Sequence, residues 1–339
     1  MVGFYRVGGF LTAAACLAVT AAAAAPTVTK VSQTRRLMGV AWTITVCVAD
    51  AEAARLPLEA AFAEVARLEA ILSDYDPASE VSRLSARAPT ATAVPVSPDL
   101  WRVLDRAVEL RDATDGCFDP TVGPLVTLWR RARRSETMPP ADKLAAARAA
   151  VGTDALRLDR DRRGASLLRP GMRLDFGGIG MGYAVDRALD VLAAHGVSAA
   201  LIDASGDVGA SAAPPGEPGW RIAIRSRVPG AEPPPPLVLV HAAVTTSGDA
   251  FQGVEIDGVR YSHIVDPRSG LGVVGPSAVT VIARDCTTAD ALATAANVLG
   301  PDAGSTMIAG QDGVAARFEW RDAAGTLQTR LTPGWPAAP

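Results

Sequence analysis

The chain has 339 residues, 49 % hydrophobic and 20 % charged, with a net charge of −3 from 33 basic and 36 acidic side chains. That suits a globular protein of one large or two closely joined domains with an ample core. The near-balanced charge, with no basic stripe carrying interleaved aromatics, excludes nucleic acid as a partner.

Arg6 is followed by an uncharged, alanine-rich run from Val7 to Ala25, ending in a small-residue stretch before Pro26. A short positive region, an apolar run and a small-residue cleavage site describe a secretory signal. The expected organisation is a signal over residues 1–24 and one domain over 25–339, exported to a periplasm. A retained membrane anchor and a lipid tether through Cys16 are the alternatives. Without Cys16, the cysteines are Cys47, Cys117 and Cys286, an odd, widely spaced set with no C-x-x-C pair; they read as small buried hydrophobes, not as a disulfide framework or a zinc site.

Ala41–Val48 alternates and is rich in β-branched residues, which predicts a strand preceded by Met38-Gly39. Leu58, Phe62, Val65, Leu68 and Leu72 recur at helical spacing, with Pro57 placed in the first turn, and the helix stops at Ser73-Asp-Tyr-Asp-Pro77. Ser97-Pro98 caps a second helix that ends at Asp115-Gly116, and Cys117 to Pro124 reads as a loop. Pro139-Pro140 opens a helix ending at Gly152, and Ala155–Asp159 with Ser166–Arg169 form a hairpin. A strand, Met172–Phe176, then runs into Gly177, Gly178, Gly180 and Gly182 and a helix starting near Tyr183.

Glycines at such a junction let the backbone approach a ligand, and the helix behind them offers unpaired N–H groups that suit phosphate. The spacing fits neither G-x-G-x-x-G nor the P-loop, so a plain tight turn competes with a phosphate site. After this helix a strand, Ala199–Asp203, completes a strand–helix–strand unit. Pro229–Pro236 reads as a surface loop. A strand (Leu237–Val244), a loop (Thr245–Asp249), a hairpin turning at Asp257-Gly258, a strand (Val279–Ala283), a helix (Thr287–Leu299) and a hairpin around Ala324-Gly325 complete the chain.

Few groups can do chemistry. Asp290 and Thr294 stand four residues apart on one helix face; a carboxylate and a hydroxyl one turn apart are hard oxygen ligands of the kind magnesium accepts, although such a pair on a helix is commonly unremarkable. His263 lies on a strand between Tyr261-Ser262 and Asp266-Pro267 and reads either as structural or as catalytic. Asp175 either faces a ligand or is solvated.

Taken in order, six motifs resemble the ApbE family, the FAD:protein FMN transferases: Met38-Gly39; Tyr75 with Ser79-Glu80; Cys117 to Leu125; Leu174 to Tyr183; Thr246-Ser-Gly-Asp249 with Tyr261 to Pro267; and Ala289 to Ala295. The resemblance implies an α+β fold of mixed or antiparallel sheets with packed helices, holding FAD in a central cleft. It places Met38, Tyr75, Cys117, Phe118, Asp119, Asp175, Ile264 and Ala293 at FAD, and puts Met181 where the family carries Lys, sometimes Glu, at the pyrophosphate. It implies a Mg2+ site from the Gly178 carbonyl, Asp290 and Thr294. The implied reaction moves FMN from FAD to a Ser or Thr hydroxyl of an acceptor flavoprotein, such as a membrane or periplasmic redox subunit, and releases AMP. An imidazole titrating near neutrality makes His263 the candidate general base. FAD hydrolysis to FMN and AMP, and non-catalytic flavin delivery, are the competing readings.

Overall fold

The computed structural model of the chain describes residues 1–3, 28–224, 226, 228, 230–248, 253–275, 277–322 and 324–337. The signal reading of residues 1–24, the lipid-tether reading at Cys16 and the Asp249 end of the fifth motif fall outside these. Among the described residues no helix is long and apolar enough to cross a membrane.

Strands β1 (Thr29–Leu37) and β2 (Val40–Val48) form a hairpin closed by Met38 and Gly39, both at positive φ (48° and 80°). Such two-residue turns match the right-handed twist of paired strands. Trp42, Ile44 and Val46 alternate inward and are fully buried. Helix α1 (Ala51–Leu72) starts at Asp50, whose carboxylate accepts the Ala53 N–H at 2.9 Å. This cap lies upstream of Pro57, so the proline sits inside the helix and not in its first turn. Helix α2 (Glu80–Ser85), strand β3 (Val94–Pro95) and helix α3 (Pro98–Ala113) follow, the last capped by Ser97 as its sequence predicts.

Helix α4 (Gly123–Ser135) replaces much of what reads as loop and featureless connection. Pro124 is tolerated at its start because the first-turn N–H groups have no intrahelical partner, and Leu125, Trp129 and Ala132 bury one face. Helix α5 (Ala141–Ala149) stops short of Gly152, and β4 (Leu156–Asp159) pairs with β5 (Gly164–Leu167).

The stretch Met172–Phe176 is not a sheet strand. It is extended, but Arg173 makes only an isolated parallel bridge to Val122. The backbone is satisfied elsewhere: the Leu174 N–H bonds to Ser85 Oγ at 3.0 Å and the Asp175 N–H to the Pro120 carbonyl at 2.8 Å. Helix α6 (Gly180–Ala194) begins before Tyr183, within the glycines. Strands β6 (Ala200–Ala204) and β7 (Asp207–Ala210) follow, and β6 pairs antiparallel with both β2 and β7, so no parallel crossover forms around α6.

Strand β8 (Trp220–Ile222) pairs with β9 (Leu237–Leu239). The expected single strand Leu237–Val244 breaks at His241, at φ 47°. Strand β10 (Ala242–Gly248) then continues through Thr245 and Ser247, where a loop is expected. Strands β11 (Val254–Ile256) and β12 (Val259–Val265) turn at Asp257-Gly258 as predicted, and β13 (Gly272–Val274) joins their sheet. After β14 (Ser277–Ala283), helix α7 (Cys286–Ala309) is bent at Gly300 (φ 76°) ahead of Pro301 and continues past Leu299. Strands β15 (Ala315–Arg321) and β16 (Leu327–Leu331) close the chain.

The main sheet runs β1-β2-β6-β7-β10-β14-β15-β16, and every strand pair among the described residues is antiparallel. Helices α1, α6 and α7 cover one face. The α6–α7 approach is tight at Gly182, where a Cβ would strike the Cys286 carbonyl. The α+β expectation holds.

Candidate active site

The glycine turn before α6 lies against α7. A Cβ on Gly178 would lie 2.8 Å from Thr294 Oγ1, and that hydroxyl is 3.3 Å from Ser247 Oγ on β10. One turn earlier on α7, the Asp290 carboxylate accepts the Gly182 N–H at 3.2 Å. Asp290 and Thr294, paired by their spacing, and Gly178, added to them by the family resemblance, lie at one turn. Ser247 joins them because β10 runs on where a loop is predicted.

Asp290 is 4 % exposed, and its carboxyl is held well above the usual carboxylate range by burial and by the charges of Asp207 and Asp186. Asp186 on α6 caps α7, accepting the Cys286 and Thr287 N–H groups at 2.8 Å each; burial pushes its pKa up to about 6. A buried carboxylate facing other carboxylates has a deficit of positive charge, because desolvating an anion without a partner is costly. Among the described residues no three His, Cys, Asp or Glu side chains gather as a metal cage. One carboxylate with neighbouring hydroxyls and a carbonyl is instead a donor set that fits a magnesium ion keeping part of its shell for water and phosphate oxygens.

A second cluster flanks the turn. The Asp175 carboxylate accepts the Gly177 N–H at 2.8 Å and a bond from Arg130 Nη2 at 3.1 Å. Arg130 also pairs with Asp74, and its guanidinium lies 3.9 Å from the centre of the Tyr75 ring. Asp175 is thus neither solvated nor part of a strand. Burial and the Asp74 charge raise its pKa to about 6, with Arg130 opposing them. Tyr75 is 74 % exposed, and Arg130 and Asp175 link it to the glycine turn.

The loop Cys117–Val122 is tied to this region by the Asp175–Pro120 hydrogen bond. Cys117 and Phe118 are buried in the main core, so Tyr75 is the aromatic with an accessible face. Asp119 Oδ1 accepts from the Thr121 N–H (2.8 Å) and hydroxyl (2.6 Å), shaping the loop, and burial pushes its carboxyl up. Met38 and Met181 are half-buried against the main core, and Ala293 is fully buried within α7.

His263 and Ile264 sit where the β12–β13 register shifts between Tyr261 and Val265; bulges of this kind re-aim side chains beside functional sites. The Ile264 N–H is held by Ser262 Oγ at 3.0 Å, and His263 is half-buried. β12 packs on α7 and, through the Trp129–Tyr261 ring contact at 5.1 Å, on α4.

Sequence reasoning passes over Arg130, Asp74, Asp186, Asp207 and the separate role of Ser247. The signal for Arg130 is the buried stripe Leu125, Trp129, Ala132 at helical spacing.

A sequence model of the ApbE family matches residues 38–318. An FAD:protein FMN transferase of Haemophilus influenzae is 32 % identical over 250 residues, spanning 69 % of this chain and 72 % of its own. One from Treponema pallidum is 32 % identical over 285 residues, 78 % of this chain and 77 % of its own. Among solved structures, the apo flavinyl transferase ApbE of Pseudomonas stutzeri superposes with a TM-score of 0.80 at 33 % identity, over 90 % of this chain and 95 % of its own. The flavin transferase ApbE of Vibrio cholerae also gives 0.80, at 26 % identity, over 91 % of this chain and 98 % of its own.

Proposed function

The chain belongs to the ApbE family, and on that premise we propose that it transfers FMN from FAD to a Ser or Thr hydroxyl of an acceptor protein, releasing AMP. The observation that carries this reading is the convergence of the Gly178 turn with Asp290, Thr294 and Ser247 from two other elements. Phosphoryl transfer asks a protein chiefly for positioning and charge stabilisation, and this arrangement supplies both.

In the first turn of α6 the Gly180, Gly182 and Tyr183 N–H groups are held by the Phe176 carbonyl, Asp290 and the Ile179 carbonyl, so what the turn offers the FAD pyrophosphate is the Met181 N–H and the positive end of the helix dipole. Tyr75 offers its outer face to a ring of FAD. Asp290, Thr294 and the Gly178 carbonyl would hold Mg2+, with Ser247 beside them. Bound there, magnesium supplies neutralisation of the charge that develops on the phosphates and the leaving AMP. Asp186 keeps α7 registered against α6, and so keeps Asp290 facing the turn. His263 takes the proton from the acceptor hydroxyl as it attacks the phosphorus on the FMN side. Position 181 carries Met, so charge at the pyrophosphate would fall to the α6 dipole and the metal.

The acceptor is a flavoprotein, and Arg6 with the apolar run Val7 to Ala25 supports export and an acceptor met outside the cytoplasm. Incubating the protein with FAD and Mg2+, with and without an acceptor peptide, tests the reaction. AMP released only with acceptor supports transfer. AMP with free FMN means hydrolysis, and no AMP means a flavin carrier.

A further inference from the structure

A single guanidinium joins three segments far apart in the chain. Asp74 and Tyr75 follow α1, Arg130 lies on α4, and Asp175 precedes the glycine turn. Arg130 Nη1 pairs with Asp74, Nη2 reaches Asp74 at 3.3 Å and Asp175 at 3.1 Å, and its plane lies under the Tyr75 ring. Through Asp175, whose other oxygen takes the Gly177 N–H, the same guanidinium is linked to the turn that meets Thr294.

We infer that Arg130 is a positioning residue for FAD binding, holding the Tyr75 ring and the Asp175 carboxylate as one preset wall of the nucleotide cleft. This rests on the flavin-transfer reading of the same site.

Three features point to positioning over plain stabilisation. First, burial is divided. The side chains of Arg130, Asp74 and Asp175 are 18 %, 14 % and 6 % exposed, while Tyr75 is 74 % exposed. The ionic part of the cluster is sheltered, and the aromatic it supports is presented outward. A ring with one face covered by a cation and the other open has already lost the rotational freedom that a stacking ligand would otherwise have to remove.

Second, the cluster is a poor way to gain stability. One cation serves two carboxylates, and buried ion pairs repay their desolvation so incompletely that apolar side chains of similar size commonly do as well. Third, the chemistry of Arg matches the task. A planar fork can bind two carboxylates at its edge and stack an aromatic on its face at once, and an ammonium cannot.

The test compares Arg130→Met, Arg130→Lys, Tyr75→Ala and the double variant Arg130→Met/Tyr75→Ala in the full chain. Arg131→Met, altering an exposed arginine of the same helix, is the control. FAD affinity is read by flavin fluorescence titration, transfer by kcat and KM for FAD, and folding by thermal unfolding. Arg130→Met is expected to raise the Kd and KM for FAD about tenfold, with kcat changed less than about threefold, the size expected when a stacked cation and its preset ring are lost. Arg130→Lys keeps the charge without the fork and stays within about threefold of Arg130→Met. The double variant is weaker than Tyr75→Ala by clearly less than the loss that Arg130→Met causes alone, because the part of the Arg130 effect that runs through Tyr75 is already gone and only its hold on Asp175 remains.

An Arg130→Met protein with wild-type FAD affinity overturns the inference. So does an Arg130→Lys protein with wild-type affinity, or a double variant whose losses multiply. If Arg130→Met does not fold, the Arg130→Lys result decides. Wild-type protein that transfers FMN while its Arg130 variants bind FAD normally refutes this inference alone; wild-type protein that does not bind FAD refutes the flavin-transfer reading and this inference with it.

Discussion

Gly178 and Thr294 meet so closely that a Cβ at position 178 would lie 2.8 Å from the threonine hydroxyl and 3.2 Å from its Cβ and Cγ2. The contact sets the turn backbone against the helix hydroxyl, with Asp290 one helical turn away. Glycine is required at 178 for space, since its φ is not among the positive values.

Gly178→Ala therefore forces Thr294 or the turn to shift by several tenths of an ångström. Misplacement on that scale at a phosphoryl-transfer centre is expected to lower turnover by about tenfold or more. Adding Thr294→Ser, which removes Cγ2 and keeps the hydroxyl, should recover part of the loss. The rate of acceptor-dependent AMP release in the single and double variants checks this; a Gly178→Ala enzyme at wild-type rate would place the turn outside the reaction centre.

Asp290→Asn separates stability from function. The buried carboxylate is opposed by the charges of Asp207 and Asp186 and faces no cationic side chain among the described residues. Neutralising it should raise, or at least preserve, the thermal midpoint of protein held in EDTA. It should also abolish the added stability that Mg2+ with FAD gives the wild type, and reduce transfer by orders of magnitude. Calorimetry with and without the metal is the measurement. An unchanged response to Mg2+ would remove Asp290 from the metal site.

What the sequence could show of this site depended on range. Asp290 and Thr294 are legible because one helix fixes their relation, and Met38-Gly39 and Asp257-Gly258 because two-residue turns are local chemistry. The α+β class followed from a family resemblance spread over six motifs. Arg130 was not legible: its partners Asp74 and Asp175 are 56 and 45 residues away, and only tertiary packing brings them to it. The same holds for Met172–Phe176. Its composition is that of a strand, but Ser85 and Pro120 capture its hydrogen bonds before any neighbouring strand can.

The acidic groups around α6 and α7 make stability depend on pH in a defined direction. Asp186 and Asp175 have folded pKa values near 6 against the ordinary 3.8, with burial the leading cause in both. Between about pH 4 and 6 the folded protein keeps protons that the unfolded chain has already lost, so metal-free protein loses stability as pH rises through that window, and the raised Asp290 carboxyl adds to the decline. Each pH unit of the window is worth about 1.4 kcal/mol per group at most. Carboxyls that are pulled down, such as Asp99, act below the window and do not mask the effect. Asp186→Asn should flatten the decline, as read from urea midpoints in EDTA at pH 4, 5, 6 and 7. A variant with the wild-type slope would contradict the assignment.

Export makes a direct prediction. Protein recovered from its native host should begin near Ala25 and fractionate with the periplasm; a lipid tether would instead leave Cys16 as the first residue. N-terminal sequencing that begins at Met1 or Val2 would refute the signal reading of residues 1–24.

His263 is expected to act on the acceptor and not on FAD. It lies in the bulged part of β12, a strand that packs on α7, beside Ile264, and apart from the Asp290–Thr294 oxygens in chemistry as well as in sequence. A general base contributes about 10²- to 10⁴-fold when the attacking hydroxyl must lose its proton. His263→Ala should therefore slow transfer to a Ser or Thr acceptor by that order, while FAD affinity and its Mg2+ dependence stay near wild type. Raising the pH should recover part of the lost rate, because hydroxide can then substitute for the missing base. His263→Gln, which retains hydrogen bonding without a proton-accepting nitrogen at neutral pH, should match His263→Ala in rate. If His263→Gln transfers FMN at the wild-type rate, or if His263→Ala loses FAD binding in proportion to activity, the residue shapes the cleft and the base lies elsewhere.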